Sequence, residues 1–380
     1  MFTDIVSLLI EISLLQGTLL SVLLFFQKDR SANKYLAGIL IFLIWTQFEF
    51  LLVRNRMEYD FILLFATRLG SWLVLGPLFI FYTRSLLDTK FKFRVKDLIH
   101  FAPFILFTLV IPIVVRELIP DRAVHYGILS LLKYYSLGTT PMQALYALLF
   151  IFQFVHLLVY LLFSKRKMGD FIQKLKSQYS NLDTINMNWI KNLNGAFMIV
   201  VGCVSLFFIV LFAFNIYKRE FDYLYVLPVS FVIYWVAFKL IRHPEIIRSF
   251  AEVSDSPSKY EKSSLTQEQG IAYKDSISNY MVKQKPYLNN ELKLNDLGEA
   301  LDIHPHHISQ VLNDQFKLSF FDFVNKYRVE EAKKRFKQKN GETILQIAYE
   351  VGFNNKASFN NYFKKITNQT PSQFIREQSN

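Results

Sequence analysis

Two short segments near the C-terminus carry polar side chains of the types that can read base pairs. In the segment from Lys356 to Lys365, Phe359 and Phe363 recur at helical spacing, which leaves polar residues on the other faces. An asparagine amide can pair bidentately with adenine, and a lysine can reach guanine or a phosphate. This pattern therefore predicts a helix that enters the major groove of DNA. Its predicted contact residues are Lys356, Ala357, Asn360, Asn361 and Lys364.

The segment from Pro305 to Asp314 shows a similar pattern. Ile308, Val311 and Leu312 should face a core, because they recur at helical spacing. The predicted base-contacting residues on the outer face are His306, Ser309 and Gln310. His304, His306 and His307 contain no i, i+4 pair, and the C-terminal region has no cysteine or further histidine to complete a site, so we expect no metal ion.

The helix before each of these segments has to position it. Thr343 and Gln346 form a capping-box pattern, which predicts a helix that starts after Thr343. Gly352 provides the backbone freedom that the end of this helix needs, and either Asn354 or Asn355 can cap the next helix. In the helix that starts after Thr343, the apolar stripe consists of Ile344, Ile347, Ala348 and Val351.

Two further helices complete the predicted C-terminal domain. A connecting helix opens at Ser319, and Thr370, Pro371 and Gln373 predict a short closing helix. A basic cluster ends the connecting helix, either as a solvated helix end or as a set of phosphate contacts. Its members are Lys333, Lys334, Arg335, Lys337 and Lys339.

These spaced motifs together resemble the DNA-binding domain of the AraC/XylS family of bacterial regulators. The motifs lie at residues 309–313, 323–328, 347–353, 358–365 and 370–371. The resemblance implies two helix-turn-helix units joined by a long helix, with their recognition helices in successive major-groove segments about 34 Å apart. The chain departs from the family pattern at Lys293, Gly298, Asp302, His304, Lys317 and Asn368, of which Asp302, Lys317 and Asn368 stand where glycine is usual.

The chain as a whole is too apolar for an ordinary soluble protein, so much of it must face lipid. Hydrophobic residues make up 52% of the sequence, and its mean hydropathy is +0.22. Windows of about 20 apolar residues can each cross about 30 Å of hydrocarbon as a helix. Seven such windows predict a seven-helix transmembrane bundle. They are Ile5 to Phe26, Tyr35 to Val53, Phe61 to Tyr82, Leu98 to Val115, Gln143 to Phe163, Leu193 to Phe214 and Tyr223 to Ile241.

The distribution of basic residues predicts the orientation of this bundle. Of the 43 Lys and Arg residues, only 18 follow Phe250, where they face 16 Asp and Glu residues. The net charge of +12 therefore lies mostly in the membrane half. The loops after spans one, three and five hold 14 Lys and Arg residues, against seven in the alternate loops. The positive-inside rule then places the N-terminus outside and the C-terminal domain in the cytoplasm of a cell with an inner membrane.

Ionisable residues within or at the edges of the predicted spans are candidates for sensing, since charge is costly at membrane depth. In the alternative interpretation, Glu49 and Arg68 form a structural pair and the histidines satisfy backbone carbonyls. Cys203 is interpreted as a core residue. The chain lacks the motifs of common hydrolases and nucleotide-binding enzymes, so we expect no catalytic residues. The candidate sensing residues are Glu11, Glu49, Arg68, His100 and His156.

The sequence thus predicts an all-α protein in three parts. A transmembrane sensor domain spans residues 1–241, a polar linker spans 242–270, and a double helix-turn-helix domain spans 271–380. The predicted function is a membrane-bound transcription regulator whose partners are promoter DNA, the lipid bilayer and a small-molecule, lipid or protein signal. Residues 271–282 pack on the domain or, as a second hypothesis, form a homodimer contact, and no cofactor is expected. The alternative function is a receptor or transporter whose tail binds a protein partner.

Overall fold

The computed structural model describes residues 2–27, 31–54, 70–88, 91–110, 141–182, 187–214, 222–242, 265–338 and 341–378. Within these ranges the chain forms helices and turns, and no β-strand occurs beyond an isolated bridge between Tyr179 and Lys293. The all-α class predicted from the sequence is therefore confirmed for the described part. The chain divides into two compact units, Met1–Met168 with Met187–Glu252, and Gly169–Asn186 with Val253–Asn380.

The first unit is built from long apolar helices. Helix α1 packs against α2 and α7, α2 packs against α3, and α6 packs against α7. The 38-residue helix α5 belongs to this unit as far as Met168, and its last residues belong to the second unit. The helices are α1 (Phe2–Phe26), α2 (Ser31–Arg54), α3 (Trp72–Leu87), α4 (Ala102–Ile105), α5 (Pro141–Gln178), α6 (Met187–Phe214) and α7 (Asp222–Arg242).

Three of the described helical segments are long and apolar enough to cross a membrane, at Ile5–Phe26, Ala32–Leu52 and Asn188–Leu206. The predicted number of seven spans is not shown. Residues 61–69 and 111–115 of two predicted spans lie outside the described residues. The described part of the predicted span from Leu98 to Val115 is a 3₁₀ helix followed by one α-helical turn and one π-helical turn. Pro103 lies in this segment, and proline lacks the amide donor that a regular helix needs.

The first unit is apolar outside and partly polar inside. Leu15, Leu19 and Leu23 of α1 are 72%, 62% and 61% exposed. Gln47 of α2, by contrast, is fully buried, and it joins two other helices through hydroxyl groups. Ser13 Oγ donates to Gln47 Oε1 over 2.8 Å, and Gln47 Nε2 donates to Ser230 Oγ over 2.8 Å. These hydrogen bonds satisfy the buried polar groups between helices whose outward-facing side chains are apolar.

The candidate sensing residues fall in different environments. Glu11 is exposed on α1, Glu49 is buried, and Arg68 lies outside the described residues, so its predicted pairing with Glu49 remains a prediction. His100 and His156 meet at one tyrosine. His100 Nδ1 lies 2.6 Å from the Tyr160 hydroxyl, and the ring centroids of His156 and Tyr160 are 4.8 Å apart. The two histidines therefore share a partner, which the sequence alone did not indicate.

The described residues of the second unit form seven further α-helices and two hydrophobic cores. The connecting helix α11 contributes to both cores. Phe323 and Val324 belong to the first core with Ile308 and Leu297, whereas Phe336 belongs to the second. The helices are α8 (Gln267–Gln284), α9 (Leu294–Leu301), α10 (Pro305–Asp314), α11 (Phe320–Gln338), α12 (Ile344–Glu350), α13 (Lys356–Thr367) and α14 (Pro371–Glu377).

Side-chain caps define where most of these helices begin. Thr343 accepts a hydrogen bond from the Gln346 amide, and Thr370 accepts one from the Gln373 amide, as predicted. Of the two asparagines that could cap α13, Asn355 is the one that does, through a 2.8 Å hydrogen bond from the Ser358 amide. These caps are local in sequence, which is why the pattern predicted them.

Three of the positions where the family pattern has glycine adopt left-handed backbone conformations. The φ angles of Asp302, Lys317 and Asn368 are 52°, 56° and 60°. A lysine is strained in this region of φ, whereas glycine is not.

We expect Lys317→Gly to raise the free energy of unfolding by about 0.5–1 kcal/mol, measured by chemical denaturation. Asn368→Gly is the control and should change it less, because asparagine tolerates this conformation. Destabilisation by Lys317→Gly would contradict the prediction.

Candidate nucleic-acid interface

Helix α10 presents the first group of predicted base-contacting residues. Ile308, Val311 and Leu312 are buried in the first core, so this side of the helix is fixed. His306, Ser309 and Gln310 are partly exposed on the remaining surface. The core packing therefore holds these three hydrogen-bonding side chains on the remaining surface of one helix, although Gln310 Oε1 is itself buried and has no hydrogen-bond partner among the described residues.

The start of α10 depends on a histidine. His304 Nδ1 accepts a hydrogen bond from the His306 amide over 3.2 Å, so His304 takes the capping role that a small polar residue usually fills. The His307 ring stacks on Tyr273 of α8 with centroids 6.1 Å apart. Burial and the neighbouring His304 and His306 lower the pKa of His307. Lowering this pKa disfavours a positive charge on His307.

Helix α13 presents the second group. Phe359 and Phe363 are fully buried in the second core, where their ring centroids lie 5.5 Å apart. Asn360 is partly buried, and its side-chain oxygen has no hydrogen-bond partner in the part of the chain that the structure describes. The four other predicted contact residues are exposed. They are Lys356, Ala357, Asn361 and Lys364.

An aspartate on the connecting helix holds α13 in place. Asp322 Oδ1 accepts a hydrogen bond from the Tyr362 hydroxyl and forms a 2.8 Å ion pair with Lys365 Nζ. Its other oxygen lies 2.6 Å from the Ser319 hydroxyl, which caps α11. The start of α11 is thereby joined to the last turns of α13. The contacts of Asp322 with Tyr362 and Lys365 are called the latch below. The sequence did not predict this latch, because Asp322 and Lys365 are 43 residues apart.

The environment of Asp322 makes the latch sensitive to acid. Burial raises the pKa of Asp322, but the hydrogen bonds from Lys365, Ser319 and Tyr362 outweigh burial and lower it from 3.8 to about 2. Because the folded pKa is depressed, the stabilisation is present above about pH 4 and is lost as the pH falls towards about 2.

Replacing Asp322 by asparagine should reveal this contribution. We expect Asp322→Asn to lower the free energy of unfolding by about 1 kcal/mol at pH 7, since the pair is partly screened by solvent. The difference from the unaltered chain should shrink between about pH 4 and about pH 2. Chemical denaturation across this pH range measures it, with Lys365→Gln in both backgrounds as the double-mutant control. A difference that does not depend on pH would contradict the latch.

The two cores meet at a buried guanidinium on α11. Arg328 is 1% exposed, and its Nε donates to the Tyr287 carbonyl over 2.7 Å while Nη2 donates to the Asn289 carbonyl over 2.8 Å. Its guanidinium lies 5.7 Å from the centroid of Phe353, which belongs to the second core. Arg328 therefore links the segment before the first helix-turn-helix pair to the turn of the second.

Comparison with known proteins is consistent with this geometry. Residues 297–377 match the family described as a helix-turn-helix domain. The C-terminal region is a helix-turn-helix domain of the AraC type. In this domain, α9 and α10 form the first helix-turn-helix unit, α12 and α13 form the second, and α11 connects them.

The curated relatives match only part of the chain. An uncharacterised HTH-type transcriptional regulator of Staphylococcus aureus strain COL is 31% identical over 106 residues, which cover 28% of this chain and 14% of the relative. Another, from Pseudoalteromonas carrageenovora, is 46% identical over 66 residues, covering 16% of this chain and 38% of the relative. The chain thus spans well under half the length of these relatives. No solved structure matches it.

Proposed function

We propose that the protein is a membrane-bound, sequence-specific DNA-binding transcription regulator. The observation that carries the proposal is the pair of helices α10 and α13. Each is fixed by a core of its own and presents hydrogen-bonding side chains outwards, and one continuous helix joins the two cores. Two such helices can read successive major-groove segments on one face of DNA.

The first helix-turn-helix unit contributes His306, Ser309 and Gln310 to this proposal. The second unit contributes amide groups together with lysine ammonium groups, which the residues of the first unit lack. Lys356 and Lys364 supply charge for guanine or phosphate, and the asparagines supply the amide that pairs with adenine. The domain is therefore proposed to read two unlike half-sites. The residues proposed for the second half-site are Lys356, Ala357, Asn360, Asn361 and Lys364.

The membrane location is supported by the surface of the first unit. A stripe of leucines at 61–72% exposure along α1 would be unfavourable in water and is favourable against lipid. The buried Ser13, Gln47 and Ser230 network is the complementary feature, because hydrogen bonds between helices are common inside transmembrane bundles. We propose a multi-pass sensor of seven spans that detects a small-molecule, lipid or protein signal.

A cytoplasmic orientation of the DNA-binding domain is supported by the charge distribution and by the second unit. The loop after predicted span five carries six of the 14 basic residues assigned to the inner side of the membrane. Residues 169–186 of this loop belong to the same compact unit as the helix-turn-helix domain. This grouping supports a common side of the membrane for both segments.

Selection of DNA by the purified full-length chain tests the DNA-binding proposal. The chain, held in nanodiscs, is incubated with random duplexes at low and moderate salt, and the retained duplexes are sequenced. We expect enrichment of two unlike motifs whose centres lie about 10 base pairs apart. Retention of duplexes without any enriched sequence, or no retention at low salt, would refute sequence-specific binding.

A further inference from the structure

The last turn of α5 and the residues after it contact the helix-turn-helix domain directly. Tyr179 forms a β-bridge with Lys293, the residue that precedes α9. The Ser180 amide donates to the Leu292 carbonyl over 3.2 Å, and the Ser180 hydroxyl donates to the same carbonyl over 2.6 Å. Tyr179 and Ser180 therefore pair with the chain at the start of the first helix-turn-helix unit. Residues 169–182, which contain them, are called the docking segment below.

The docking segment also reaches the connecting helix. The Ser180 carbonyl accepts hydrogen bonds from Arg328 Nη1 over 3.0 Å and from Asn325 Nδ2 over 3.3 Å. The Ser180 hydroxyl accepts a further bond from Arg328 Nη2 over 3.2 Å. Hydrogen bonds from a charged donor are stronger than those between neutral groups. Ser180 thus accepts two hydrogen bonds from the Arg328 guanidinium, which links the two cores.

Burial indicates that this contact is a packed interface from which water is excluded. Ser180 is 1% exposed, as are Arg328 and Asn325, so both sides of the contact are shielded from water. One turn earlier, Lys176 Nζ lies 5.7 Å from the centroid of the Phe321 ring on α11. Buried polar groups are costly unless they are paired, and here the partners of Arg328 and Asn325 include Ser180.

We propose that the docking segment couples the membrane helix α5 to the connecting helix α11. The effect of this coupling on DNA binding rests on the proposed function. The distance between α10 and α13 is set by α11, and Ser180 is bonded to α11 at the point between the two cores. A displacement of α5 by a signal therefore acts on the spacing of the recognition helices, by a route that does not pass through the linker at 242–270.

Disulfide trapping tests the contact in the full-length chain. Cys203 is first replaced by serine, and cysteines are then introduced by Tyr179→Cys and Lys293→Cys. Bridged residues of antiparallel segments have Cα atoms about 4.5–5.5 Å apart, within the range of a disulfide. A protease site is inserted between residues 254 and 264. After mild oxidation and cleavage, we expect the C-terminal fragment to remain covalently attached to the membrane fragment of a single chain.

Matched pairs and variants decide the outcome. The control pair Tyr179→Cys with Lys283→Cys uses an exposed position on α8 and should crosslink at least about tenfold less. Adding Ser180→Arg places bulk and a second cation against Arg328, so it should lower the crosslink yield about tenfold, whereas Ser177→Arg one turn earlier should not. Equal yields for both pairs, or crosslinks found only between two chains, would overturn the proposal. Because the readout needs no DNA, it is independent of whether the protein binds DNA.

Discussion

Replacing Gly352 by alanine is expected to unfold the second helix-turn-helix unit. Gly352 has a φ of 98°, a conformation that side-chain-bearing residues rarely adopt. An added Cβ would lie 2.5 Å from the Tyr287 carbonyl oxygen and 2.8 Å from Arg328 Nε. The first of these atoms is backbone and the second belongs to a buried guanidinium, so neither can move cheaply. We expect a loss of at least about 3 kcal/mol in the free energy of unfolding.

Gly341→Ala provides the matched control for this prediction. Gly341 also has a positive φ, 75°, but a Cβ there meets no atom of the described residues within 4 Å. Its substitution should cost only the backbone strain of about 1 kcal/mol. Thermal unfolding and hydrogen exchange in α12 and α13 would measure both variants in the full-length chain. Similar stability for the two variants would show that the approach of Gly352 to Tyr287 is not needed for the fold.

Substitution on the exposed face of α13 is expected to weaken sequence-specific DNA binding while the domain stays folded. Asn361→Ala removes an amide that can pair with adenine, and it should cost about 1–3 kcal/mol in binding to the selected duplex. The same substitution should leave binding to unrelated duplexes nearly unchanged. Because Asn361 is exposed, the free energy of unfolding should change by less than about 0.5 kcal/mol.

Lysines on the same face are expected to behave differently. Lys356→Ala removes a charge, so a phosphate contact at this position predicts weaker binding to all duplexes and a salt dependence reduced by about one counterion. A guanine contact instead predicts a loss confined to the selected sequence. Titrations of full-length protein at several salt concentrations separate the two results. Lys283→Ala, on α8 outside both helix-turn-helix units, is the control. Unchanged affinity in both Asn361→Ala and Lys356→Ala would remove α13 from the interface.

Much of the C-terminal domain was predictable because its signals are local. Thr343 and Thr370 mark helix starts through hydrogen bonds to residues three positions away, and helical spacing identified Phe359 and Phe363 as inward-facing. The same periodicity predicts an exposed face for Lys356 and Asn361, and both side chains are exposed. It could not choose between Asn354 and Asn355 as a cap, since one residue of offset leaves the apolar stripe unchanged.

The contacts that join the helices were decided only by tertiary structure. Asp322 and Lys365 lie 43 residues apart, Ser180 and Arg328 lie 148 apart, and His100 and Tyr160 lie 60 apart. No periodic pattern relates such residues, because their proximity depends on how whole helices pack. The sequence by itself determined the helical class, the apolar first unit and the two polar recognition faces, since each follows from side chains within a few turns of one another. The latch on α13 and the docking of Ser180 on Arg328 required the folded chain, because a hydrogen bond between distant segments exists only after packing has brought donor and acceptor together.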